Sequence, residues 1–110
     1  MEPLQLKTDQ DGDVIAVSAT GELDIATAGL LDEELLRVHE LSPRLLVLDL
    51  RGLTFLDSTG IRTILAADAR AQEDGAELKI VRGPEEVDKV FRLTGIGDRL
   101  DIVDEFSGRG

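Results

Sequence analysis

The sequence has no cysteine, tryptophan or tyrosine, and only one histidine and three phenylalanines in 110 residues. Without cysteine there can be no disulfide, no thiol catalysis and no cysteine-ligated zinc or iron–sulfur centre. The lone His39 excludes a multi-histidine metal site and leaves any serine–histidine pair with one possible base. It falls late in a helical segment beside Glu40, where a surface position is expected. Aromatic residues make up 3% of the chain, too few to favour a pocket that stacks rings or sugars. Positive charge is scarce as well: 12 Lys and Arg stand against 23 Asp and Glu, a formal net charge of −11. Phosphate backbones and anionic membranes are held by clustered Lys and Arg, so protein partners are expected, with no nucleic acid and no membrane. No apolar stretch approaches the ~18 residues of a membrane span. Met1 to Lys7 lacks the basic and apolar regions of a signal peptide, and a cytoplasmic location is expected.

What is present is enough apolar residue, 42%, for one small domain. A chain of this size can bury roughly two-thirds of the surface it exposes unfolded, so a sheet packed on helices needs no covalent staple. Leu4, Leu6 and Thr8 alternate with polar neighbours, Asp11-Gly12-Asp13 is a turn signal, and Val14-Ile15-Ala16-Val17 follows, which predicts a hairpin. Ala28, Leu31, Leu35 and Val38 recur at helical spacing, with Thr27 available as a cap. Ser42-Pro43 ends that helix, and Leu45-Leu46-Val47-Leu48 has the length and continuous apolarity of a central strand. Arg51 to Asp57 reads as a short loop. Ile61, Ile64, Leu65 and Ala69 then mark a second helix to about Asp74, closed by Gly75. Glu77 to Val81 is a strand, and Gly83-Pro84 opens a helix that carries Val87, Val90 and Phe91 inward and ends at Gly95 and Gly97. Ile102-Val103 is a last short strand. Strands alternating with helices predict an α/β fold whose mixed sheet is mostly parallel after the opening hairpin.

The stretch from Leu48 to Ile61 carries the most chemistry, because a buried strand leads to Asp57-Ser58-Thr59-Gly60 at a helix start. A helix N-terminus offers unpaired N–H groups and a partial positive charge, so a phosphate on Ser58 or Thr59 is tolerated there. The same residues equally suit plain capping by Asp57 or Ser58. Asp49, at the end of its apolar run, is expected to be a hydrogen-bonded structural carboxylate. Gly95-Ile96-Gly97 lacks the third glycine and the preceding strand of a dinucleotide fingerprint, and no Gly-rich Lys-Ser/Thr phosphate loop exists.

Gly21-Glu22-Leu23-Asp24-Ile25-Ala26-Thr27-Ala28, the segment Leu45 to Leu53, Asp57-Ser58-Thr59-Gly60 and Phe91-Arg92-Leu93-Thr94-Gly95-Ile96 together resemble the anti-sigma factor antagonists of the STAS family (sulfate transporter and anti-sigma factor antagonist). The resemblance spans nearly the whole chain and implies one STAS-like domain over residues 1–106, with 107–110 a frayed tail. It implies that Ser58, the first hydroxyl after the Asp, is phosphorylated by an anti-sigma factor that is a Ser/Thr protein kinase, and that a Ser/Thr phosphatase reverses this. The unphosphorylated form then binds the anti-sigma factor and frees the sigma factor. Thr59 is the alternative acceptor. Asp24 and Asp57 match acidic positions near the acceptor; with Ser58, Thr59, Gly60 and Arg62 they form the expected partner-binding set. The match departs at Arg62, where many members carry a small residue; a long cation there bears on which partner is accepted, not on the phosphorylation chemistry. No cofactor, no metal and no catalysis of its own are expected.

Two other readings stay open. Asp49 superficially looks like the phosphoacceptor of a receiver-like phosphotransfer domain, with Asp24 and Asp57 as magnesium ligands. Against this, no acidic pair ends the Val14-to-Val17 strand, and Lys79 lies inside a strand. The domain could also be a structural STAS module that is never phosphorylated.

Overall fold

Alternation in the first residues produces two paired strands, and the computed structural model, which describes residues 3–106, begins with them. Strand β1 (Gln5–Asp11) pairs antiparallel with β2 (Val14–Leu23) around the turn at Gly12. Then follow α1 (Ala28–His39), β3 (Leu45–Leu56), α2 (Ser58–Glu73), β4 (Glu77–Val81), α3 (Glu85–Thr94), a short 3-10 turn and β5 (Ile102–Val103). The sheet order is β1-β2-β3-β4-β5, parallel from β2 onward. This is the mixed, mostly parallel sheet with an opening hairpin that the sequence predicts. The 107–110 tail lies outside the described residues.

Burial divides the sheet into two unequal faces. Ile15, Val17, Leu46, Leu48, Leu50, Leu78 and Ile80 share one core with α1, α2 and α3. Val14, Leu45, Val47 and Val81 form a smaller cluster on the other face, under Phe106. Thus the Leu45-to-Leu48 run is buried on both faces, as a central strand requires. Helix α1 buries Ala28, Leu31, Leu35 and Val38. Helix α2 buries Ile61, Ile64, Ala67 and Ala71, so Ala69 does not face the core as expected and is exposed. Asp88 is the one charged side chain buried in the described core. Arg82 and Arg92 each donate to it at 2.9 Å, which ties α3 to the end of β4.

The larger departure is at Arg51 to Asp57, most of which is strand. Strand β3 runs on to Leu56, pairing Gly52 with Thr20, Phe55 with Glu22 and Leu56 with Leu23. Two register shifts, between Ser18 and Thr20 and between Gly21 and Glu22, interrupt that pairing. Each irregularity re-aims the side chains beyond it. As a result Leu50, Leu53 and Leu56, three apart, all turn into the helix-side core. A spacing of three matches neither alternation nor a helical face. Gly52 sits between the shifts, where a Cβ would come within 2.6 Å of Thr20 Oγ1 and 3.0 Å of the Ala19 carbonyl.

The start of α2 is set down on the ends of β2 and β3 with no room to spare. A Cβ on Gly60 would lie 2.7 Å from both Leu23 Cγ and Leu56 Cδ1. Gly60→Ala therefore has to push α2 off the strand ends, an overpacking that costs about 1–3 kcal/mol. Gly29, in α1, has nothing within 4 Å of the same construction and an ordinary helical backbone. Gly29→Ala is expected to stabilise by about 0.4–1 kcal/mol. Urea unfolding of the two variants should move in opposite directions from the parent chain; a loss of stability in both would contradict the packing.

Candidate functional site

The loops after β2 and β3 meet at one end of the sheet because Asp57 N–H donates to the Leu23 carbonyl at 3.2 Å. Asp57 is the N-cap of α2, in extended conformation. Its Oδ1 accepts from Thr59 N–H at 2.9 Å and Gly60 N–H at 3.2 Å, and its carbonyl accepts from Ile61 N–H at 3.1 Å. Of the two capping residues the sequence left open, the cap is thus Asp57. Ser58 is the first helical residue, exposed, its hydroxyl without a hydrogen-bond partner among the described residues. Thr59 is half-buried and Gly60 buried.

Beside it, Asp24 builds the entry to α1. Its Oδ1 accepts from Ala26 N–H at 2.9 Å and Thr27 N–H at 3.2 Å, the turn role expected of an Asp here. Thr27 occupies the N-cap position of α1 but does not cap with its side chain. Its hydroxyl donates backward to the Glu22 carbonyl at 2.8 Å and accepts from Asp24 N–H at 3.0 Å. The cap expected of Thr27 is therefore spent on holding the β2–α1 loop closed. The structure brings together Asp24, Asp57, Ser58, Thr59 and Gly60, with Arg62 exposed one turn further along α2.

Asp49 belongs elsewhere. It lies within β3, not at its end, and accepts from Arg51 Nε at 3.0 Å and Nη2 at 2.8 Å, with a further bond from Arg51 N–H. The Arg51 hydrogen bond holds its carboxyl below the usual aspartate range, against the opposing pull of partial burial. Asp57 is farther along the chain by most of β3, on the order of 20 Å at ~3.3 Å per residue. Among the described residues no group of three acidic or histidine side chains is placed to hold a metal ion. The three carboxylates of the receiver-like reading are not assembled.

Two residues that sequence reasoning passed over are exposed at this end of the sheet. Ile25, next to Asp24, is 79% exposed, and Phe55, at the end of β3, is 47% exposed. Their signal was present but slight: both are large apolar residues beside polar loop residues. Exposed apolar side chains grouped with polar ones are the usual material of a docking surface. A cavity of about 260 Å³ lies instead between the far ends of α1 and α2, lined by Leu35, Pro43, Leu46, Arg70 and Asp74 among others. Across it His39 Nε2 stands 2.9 Å from Asp74 Oδ2, so His39 is half-buried and not the simple surface residue expected. The cavity's lining on α2 begins at Ala67 and ends at Asp74, so it lies about 14–24 Å along the helix from Ser58. No helix among the described residues is long and apolar enough to cross a membrane.

Residues 5–107 match the STAS domain family. The chain belongs to that family. The anti-sigma-B factor antagonist of Bacillus subtilis is 29% identical to it over 93 residues, covering 84% of each chain. An anti-sigma factor antagonist from Mycobacterium paratuberculosis superposes with a TM-score of 0.86 at 24% identity, over 94% of this chain and 87% of that one. The unphosphorylated anti-sigma factor antagonist SpoIIAA superposes at 0.76 with 18% identity, over 93% of this chain and 89% of that one. The order of elements and the single mixed sheet are those of a STAS domain.

Two predictions follow from the site's geometry. Asp57→Ala removes the acceptor of two helix-start N–H groups and should cost about 1 kcal/mol in denaturant unfolding, leaving the fold intact by circular dichroism; Asp57→Asn should recover most of that loss. For Asp49, the folded carboxyl titrates below its unfolded value, so its contribution is complete above about pH 5 and is lost as pH falls through the unfolded and then the lowered folded value. Melting temperature measured from pH 6 down to pH 2 should fall less steeply for Asp49→Asn than for the parent. Parallel curves would remove Asp49 from the acid response.

Proposed function

We propose that this STAS domain is an anti-sigma factor antagonist switched by phosphorylation at Ser58. In its unphosphorylated form it binds an anti-sigma factor that is also a Ser/Thr protein kinase, so that the sigma factor is released. Phosphorylation at Ser58 blocks that binding and a Ser/Thr phosphatase restores it. The observation that carries the reading is the Ser58 hydroxyl: exposed, unbonded, at the first turn of α2 between Asp57 and the Asp24 loop. Family membership and the names of the relatives point the same way. A kinase can reach such a hydroxyl without unfolding anything, whereas Thr59 is half-buried.

In the transfer, Ser58 Oγ forms a bond to the γ-phosphorus of a nucleoside triphosphate as the bond from that phosphorus to the β–γ bridging oxygen breaks. The nucleoside diphosphate leaves and the hydroxyl proton passes to a base on the kinase. The domain supplies the acceptor and performs no catalysis of its own. The added group carries about −1.5 to −2 charges and lands beside two carboxylates. Ile25 and Phe55 would provide apolar contact in the unmodified complex. A dense negative charge set into that contact costs several kcal/mol, and each 1.4 kcal/mol is tenfold in affinity.

Intact-mass analysis of the protein from its native cells, with fragmentation, should locate one phosphate on Ser58. Against the cognate anti-sigma factor, Ser58→Ala should bind as the unphosphorylated parent does. Ser58→Asp should stay folded and bind at least tenfold more weakly; phosphorylated parent should lose about a hundredfold or more. Equal binding of Ser58→Asp and Ser58→Ala, or an unmodified Ser58 in cells under all growth conditions, would leave the domain as a structural STAS module.

A further inference from the structure

The first turn of α2 has little left to offer an anion. Asp57 already takes the N–H groups of Thr59 and Gly60 through its side chain and that of Ile61 through its carbonyl. A phosphate on Ser58 cannot use those donors without displacing the cap. It would also sit near carboxylates: Asp57, the cap of its own helix, and Asp24, on the loop that the Asp57–Leu23 bond holds beside it. Any protein group that pairs with it must come from beyond this cap.

Arg62 is placed to do so. It lies one turn after Ser58 on α2, is exposed, and makes no ion pair or hydrogen bond among the described residues. By contrast Arg37, Arg44, Arg51, Arg82 and Arg92 each lie against a carboxylate. Residues four apart on a helix stack on one face with Cβ atoms about 5–6 Å apart. The Cα–Cβ bond leans toward the helix N-terminus, so the side chain of Arg62 extends back over the turn that begins with Ser58. Acid before base at this spacing is the favourable order. Guanidinium also matches a phosphate with two parallel donors.

We propose that Arg62 is the phosphate-holding residue of the modified form, reaching back one turn to pair with phosphorylated Ser58. This rests on Ser58 being the acceptor. The unmodified hydroxyl carries no charge and Arg62 makes no bond to it among the described residues, so the side chain is idle in one state and engaged in the other. It offsets part of the repulsion from Asp57 and Asp24.

The test needs no kinase. Phosphoserine is inserted at position 58 during translation, in the parent chain and in Arg62→Gln and Arg62→Lys. Phosphorus NMR then follows the second ionisation of the phosphate. With Arg62 present its pKa should be lower than in Arg62→Gln by about 0.3 to 0.5, a two- to threefold change in proton affinity. Arg62→Lys should restore part of that difference, and 1 M salt should shrink it. The unphosphorylated parent and Arg62→Gln should melt together, because Arg62 has no partner there. Identical phosphate titrations in the parent and Arg62→Gln overturn the proposal. A chain purified from cells with no phosphate on Ser58 overturns the acceptor assignment instead, and the NMR comparison distinguishes the two failures.

Discussion

The hydrogen bond from Asp57 N–H to the Leu23 carbonyl is the joint on which this end of the molecule depends. It fixes the start of α2 against the end of β2, and the absence of a side chain at Gly60 lets the helix settle there against Leu23 and Leu56. Once α2 is seated, Ile61 and Ile64 fall into the core beside α1, and Ser58 is held outward at the lip of the sheet. The same aspartate then closes the helix with its side chain. One residue therefore sets the position of Ser58 and takes up the donors that would otherwise attract an anion to it.

Much of this was legible in the order of residues. The four apolar positions of α1 read directly as a buried helical face, and the Leu45-to-Leu48 run read as a strand covered on both sides. The Asp57-Ser58-Thr59-Gly60 motif marked a helix start because capping chemistry is local. The extension of β3 was not legible, since two register shifts convert its core positions into a spacing of three that no regular element shows. The inner face of α2 was partly hidden for a different reason. Ala66, Ala67, Ala69 and Ala71 are too small and too similar to reveal which of them points inward.

The site itself was readable as a list of residues and not as an arrangement. That Asp24 and Asp57 lie at one end of the sheet while Asp49 lies on another part of it follows from how far β3 runs, which the sequence pattern concealed. Similarly, the hydroxyl of Thr27 was spent on the Glu22 carbonyl because a closed β2–α1 loop needs an acceptor and a donor at that point, a tertiary demand that a propensity for capping does not contain. Ile25 and Phe55 become meaningful only once both are seen at the same end of the sheet.

Strand β4 pairs with β3 only from Leu45 to Asp49, whereas β2 accompanies β3 to Leu56. The Ser58 end is thus a two-stranded cantilever, projecting beyond the five-stranded body and braced by the first turns of α1 and α2. Its underside is nevertheless part of the main core, since Leu23, Leu53 and Leu56 are buried there with the first turn of α2. A change at Ser58 or Ile25 therefore meets only solvent, whereas one at Gly60 or Leu56, a residue or two away, meets the whole fold.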